Sequence, residues 1–191
     1  MKRTFRVKKI RNLAEANRAA FLYERGHQAW SKGDLRLAFR YFLAAARAGK
    51  VAAFDTLGNF YHLGRGVKPN PGAALYWYRQ AYSNGTRSVA NNIGCILRDR
   101  KKLGQAIKWF QRAVRQNDGD ANLNIAKIYL RKGDLARARS YLDKTRRSPW
   151  ATEQSKEEAG LLLKKLTTKD AARSGLRQAQ KSGSARIAAG G

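Results

Sequence analysis

The chain has 191 residues, enough for one ordinary domain or one short repeat array. Lys and Arg number 40 against 13 Asp and Glu, and the resulting +27 draws polyanions while saying nothing about fold. Its one cysteine, Cys95, excludes an internal disulfide framework and a cysteine-rich metal centre, and no stretch approaches the roughly 18 apolar residues of a membrane span.

Leu, Ala, Arg, Lys and Gln dominate, and all favour helix, whereas period-two runs of β-branched residues are absent. An all-α fold follows. Residues 1–12 read as a basic N-terminal arm. The arm lacks the apolar core of a secretory signal, although its acid-poor, basic start is similar to an organelle transit peptide. With one cysteine fitting a reducing compartment, the expected location is cytoplasmic. Apolar spacing then predicts helices over 13–31 and 35–48, joined by Gly33-Asp34, a tight turn with Asp as N-cap.

The next pair is predicted over 51–63 and 71–83, separated by "GRGVKPNPG". Gly64 and Gly66 suit a helix end at positive φ, Asn70 an N-cap and Pro71 a first helical position. Further pairs follow over 87–98 and 103–116, then 120–131 and 134–145, the last with a Gly133-Asp134 turn. Ser148-Pro149 reads as the start of one more amphipathic helix, with Trp150, Ala159, Leu162, Leu163 and Leu166 as its apolar residues. It is assigned as a C-terminal cap over the exposed edge of the array. The repeat domain is set at 13–167. From 168 to 191 large apolar residues nearly vanish, and this basic tail is expected to be disordered.

A lone helical hairpin cannot bury its apolar face, so copies are required. Gly26 is followed by Ala38, Phe42 and Ala45, and Gly94 by Ala106, Phe110 and Ala113 at the same spacing. Ala126 is followed likewise by Ala138, Leu142 and Thr145, and Gly58 by Ala74, Tyr78 and Ala81 with the loop inserted. Small residues let paired helices approach, and the large one fills the space between them and the next pair. The second copy, with Ala53, Leu57, Gly58, Tyr61, Gly64, Gly66, Val67, Ala74, Trp77, Tyr78, Ala81 and Gly85, resembles the Sel1-like repeat. The other three resemble tetratricopeptide repeats, and together the resemblance covers about residues 17–145. It implies a right-handed α-solenoid of about four helix-turn-helix repeats with the C-terminal capping helix. It also implies a non-enzymatic module that binds a protein or peptide in its concave groove.

In such solenoids the first helix of each pair lines the groove. The implied positions are Tyr23, His27 and Trp30; Asp55, Asn59 and His62; Asn91, Cys95 and Arg98; Leu123, Lys127 and Leu130. Asn side chains can pair with a peptide backbone, and Arg98 and Lys127 with a carboxylate, so the expected partner is acidic. Members that clamp an acidic C-terminus use a Lys/Asn/Arg set, of which only Asn59 and Lys127 are matched here, so that activity is not carried over. No catalytic, cofactor or metal site is expected. His27, His62 and Asp55 make a conceivable metal set but read as groove-surface residues, and Cys95 has no base at nucleophile spacing. The aromatics read as packing residues. An alternative is a nucleic-acid- or ribosome-associated protein that contacts phosphates through the arm, the Arg100–Lys102 loop, Arg146-Arg147 and the tail.

Overall fold

The computed structural model describes the backbone of residues 2–168 and the side chains from residue 13 onward. The tail beyond Thr168 lies outside the described residues, as do the side chains of the basic arm. Eight helices are α1 (Lys2–Ser31), α2 (Leu35–Arg47), α3 (Ala52–Leu63), α4 (Pro71–Ser83), α5 (Ala90–Asp99), α6 (Leu103–Val114), α7 (Asp120–Arg131) and α8 (Leu135–Arg147). Residues 153–168 form α9, and the described residues contain no strand. The chain divides into two compact units, Met1–Gln116 and Asn117–Gly191. The first holds the hairpins α1–α2, α3–α4 and α5–α6; the second holds α7–α8 and α9.

Boundaries follow the caps. Asp34 and Asp134 accept hydrogen bonds from the amides of Leu37 (2.9 Å) and Arg137 (3.0 Å) at the starts of α2 and α8. Asn70 accepts from Gly72 and Ala73, both at 3.0 Å, ahead of Pro71 in α4. Gly64 ends α3 in the left-handed region at φ 70°, and Gly66 repeats it at φ 65°. A Cβ on Gly66 would collide with the Leu35 carbonyl, so the inserted loop lies directly against the start of α2. At the equivalent turn before α6 the left-handed residue is Lys101, at φ 59°, and Lys102 stands at the N-cap without a side-chain cap bond.

The small-large code is the packing of each hairpin. A Cβ on Gly26 would meet Phe42 at 2.7 Å, one on Gly94 would meet Phe110 at 2.5 Å, and one on Gly58 would run into the Tyr78 ring. Phe42, Tyr78, Phe110 and Leu142 are all fully buried. In the fourth hairpin Ala126 faces the smaller Leu142, and buried Thr145 donates its hydroxyl to the Tyr141 carbonyl at 3.0 Å.

Two boundaries differ from expectation. The backbone of α1 is helical from Lys2, continuous with residues 2–12. No glycine or proline precedes Gly26 to stop it, and Lys and Arg are good helix formers. Helix α9 begins at residue 153, not at Pro149. Its cap is Thr152, whose hydroxyl accepts from Ser155 N–H and whose N–H and hydroxyl both donate to Asp120 Oδ1, at 2.8 and 3.1 Å. Trp150 lies outside that helix and is exposed, whereas Ala159 and Leu166 are buried against Leu123, Ala126 and Leu142.

Candidate partner-binding groove

With the small residue of each first helix turned to its mate, the predicted positions of the first unit form two side-chain clusters, each built on a large residue of the code. Tyr23, His27 and Trp30 gather over Phe42, with ring centroids 5.5, 5.1 and 6.1 Å from it. Tyr23 meets His27 edge-on at 4.6 Å, and His27 stacks on Trp30 at 6.1 Å. Two cations border this platform. Lys50 Nζ lies 5.5 Å from the Tyr23 ring centre and the Arg65 guanidinium 5.6 Å from that of Trp30, within cation–π range.

The second cluster surrounds Tyr78. Its hydroxyl donates to Asn59 Oδ1 at 2.9 Å, and Asn59 Nδ2 donates to the Asp55 carbonyl at 3.1 Å. His62 meets the Tyr78 ring edge-on at 6.1 Å. Burial first, then the charges of Asp55 and Cys95, push the phenol well above its ordinary pKa, while Arg65 and a hydrogen bond with Asn92 act the other way. Tyr78 therefore stays a hydrogen-bond donor. Asn59, read as a contact for a partner's backbone, makes two bonds within the fold. Asn92, adjacent to the predicted Asn91, was missed. Its signal is the extra hydroxyl of Tyr78, standing where the other hairpins carry Phe42 and Phe110 and needing buried partners.

The remaining positions divide. Asn91, Cys95 and Arg98 are half-buried on α5, where Arg98 Nε pairs with Asp99 at 2.9 Å. Lys127 Nζ lies 2.8 Å from Glu158 of α9, so within the chain it already has a carboxylate partner. Leu123 and Leu130 pack into the same cluster as Ala159 and Leu162, so α9 occupies the predicted positions of the second unit. The aromatics also divide. Phe42, Tyr78 and Phe110 are core, but Trp77, Trp109, Tyr129 and Tyr141 are only half-buried. Arg112 lies 4.3 Å from Trp109 and Lys144 lies 4.6 Å from Tyr141. Among the described residues no three His, Cys, Asp or Glu side chains gather as for a metal ion, so His27, His62 and Asp55 form no such set. No helix among them is long and apolar enough to cross a membrane.

The Sel1 repeat family model matches residues 12–50 and 57–86, and tetratricopeptide repeat models match 86–115 and 119–144. The chain belongs to the Sel1 and tetratricopeptide repeat proteins. Proteins built from these repeats are generally protein-interaction scaffolds without catalysis. The ERAD-associated E3 ubiquitin-protein ligase component HRD3B of Arabidopsis thaliana is 27% identical over 103 residues, which are 53% of this chain but 17% of that protein. Among solved structures, the Escherichia coli antigen c5321, of SLR fold, superposes at TM-score 0.65 and 18% identity, covering 80% of this chain and 35% of that one. A Sel1 repeat protein from Oxalobacter formigenes gives 0.58 at 23% identity, covering 74% and 62%. MamA gives 0.60 at 20% identity, covering 76% and 86%. These likenesses establish an all-α helical-repeat fold of the solenoid class.

Proposed function

We propose that this repeat protein is a non-enzymatic scaffold whose first-helix face, in the unit Met1–Gln116, holds an extended acidic segment of a partner protein. The observation that carries the reading is the Tyr23–His27–Trp30 platform edged by Lys50 and Arg65. Aromatic faces give contact area at low entropy cost, and the bordering cations select carboxylates and speed association. Half-buried polar side chains of α3 and α5 continue the surface beside it. The test is fluorescence anisotropy of extended acidic peptides against the full chain and a Lys50→Glu/Arg65→Glu variant. Reversal of both charges should weaken binding by at least about tenfold. Unchanged affinity would refute the groove.

One observation favours a second reading, phosphate binding. The turn before α6 keeps Lys101 and Lys102 where the first and fourth hairpins use the conformationally suited Gly-Asp pair. Positive charge is held there against local stability. Polyanion binding of this kind should fall about 10³–10⁵-fold over a few-fold rise in salt if 6–10 phosphates are contacted. A flat salt response would remove it.

A further inference from the structure

We propose a second docking surface on the first hairpin, a concavity between α1 and α2 that seats an acidic amphipathic helix of a partner protein. The concavity is about 460 Å³, rimmed by Arg18, Arg40 and Arg47 and floored by Leu22, Leu43 and Ala44. The ion pairs Arg98–Asp99, Lys127–Glu158, Arg137–Asp134 and Lys156–Glu153 all lie elsewhere. An arginine stays charged at every physiological pH, so three guanidiniums face one apolar floor.

The repeat itself supplies a control. The same place on α8 is also a concavity, lined by Ser140, Asp143, Lys144, Arg147 and Ser148. With Phe42 aligned to Leu142, Leu43 corresponds to Asp143, Ala44 to Lys144, Ala48 to Ser148 and Arg40 to Ser140. The hollow thus recurs on two hairpins with different linings, and of these the first lines it with aliphatic side chains inside an arginine rim. At the position of Leu43, α4 has Arg79 and α6 has Gln111. Leu22 and Leu43 lean on the core beneath but remain only half-buried, leaving apolar surface at the floor.

The spacing selects the ligand. Arg40 and Arg47 lie two turns apart on α2, a rise of roughly 10.5 Å. A helix laid along α2 with two carboxylates the same two turns apart, and an aliphatic residue between them, matches both arginines and Leu43 at once. Arg18 closes the third side from α1. This is the helix-in-groove mode, with one aliphatic anchor in a charged rim. A nucleic-acid backbone would meet the arginines but leave the apolar floor wet, and a bilayer surface is flat where this site is concave. A second copy of this chain, at +27, would be repelled.

The probe is a labelled amphipathic peptide with leucines on one face flanked by glutamates a turn either side, compared with a permuted peptide of identical composition. Anisotropy with the full chain should give an affinity about tenfold higher for the ordered peptide. Leu43→Gln, which installs the third hairpin's residue at a half-buried position, should erase that preference at unchanged helicity. Arg40→Ser/Arg47→Ser should weaken both peptides by at least about tenfold. Equal affinity for the two peptides, or a preference that survives Leu43→Gln, would overturn the proposal. A thymidine oligonucleotide or phosphatidylglycerol vesicles that bind more tightly than the ordered peptide, and lose that affinity in the arginine variant, would replace it with phosphate recognition.

Discussion

Replacing Gly94 with alanine tests the code that builds every hairpin. The new Cβ would stand 2.5 Å from Cε1 and 2.6 Å from Cδ1 of Phe110, a ring with no exposed surface. Carbon atoms rest at about 3.5–4.0 Å, so the ring or the helix must shift by about 1 Å inside a filled core. Overpacking of this kind costs about 1–3 kcal/mol, against a gain of about 1 kcal/mol from replacing glycine within a helix. Net destabilisation of up to about 2 kcal/mol is expected. Phe110→Leu alone opens a cavity and costs about 1–2 kcal/mol. The double variant reproduces the Ala126–Leu142 pair of the fourth hairpin, so the clash disappears and the two changes couple favourably by about 1–2 kcal/mol. Urea titration of the four proteins by far-ultraviolet circular dichroism, at unchanged m, measures the cycle. Gly104→Ala in the same α6 is the control: nothing lies within 4 Å of a Cβ there, and it should stabilise by about 0.5–1 kcal/mol. Additivity of the two changes within about 0.5 kcal/mol would refute the packing argument.

Lys101→Gly/Lys102→Asp should stabilise the chain by about 2 kcal/mol, roughly half from relief of the left-handed lysine and half from a new cap, read as a rise in melting temperature. If the turn binds phosphate, the same variant also loses polyanion affinity. Tyr78→Phe should cost about 1–2 kcal/mol at neutral pH by stripping Asn59 Oδ1 of its donor. Because the folded phenol holds its proton more tightly than the unfolded one, wild-type stability is full below about pH 10 and falls as pH rises beyond it. Melts at pH 8 and 10.5 should therefore show a shallower alkaline loss in the phenylalanine variant; a parallel loss would contradict the raised pKa. Asp120→Ala removes the acceptor for both Thr152 donors and should cost about 1–3 kcal/mol within the second unit, seen as faster amide exchange in α9.

The hairpins were legible because their signals are local or strictly periodic. Asp34, Asn70 and Asp134 cap through their own neighbours, and Gly26, Gly58 and Gly94 recur at spacings that only a repeated helix pair explains. What sequence reading misplaced depends on distant residues. Ser148-Pro149 has the composition of a helix start, but Asp120, far earlier in the chain, fixes the start at Thr152. Lys101 carries no mark of a left-handed residue; its position opposite Gly33 and Gly133 is the only hint. The site was half legible. The repeat resemblance, counted from each small residue, named the candidate residues on the first-helix faces, but not that Tyr78 would engage Asn59 or that Glu158 would reach Lys127. Both follow from which neighbour each face meets.

The seating of α9 on α7 sets a length scale. With Lys127 and Leu123 engaged by the chain's own helix, the proposed partner surface of the first unit comprises the candidate positions of α1, α3 and α5. At the usual spacing of about 8–10 Å between adjacent helices, three such faces side by side would span roughly 20 Å. An extended segment advances about 3.3 Å per residue, and about six residues cover that distance. On the reading proposed above, the array would act as a ruler for brief linear motifs, whose few contacts could be made and broken quickly.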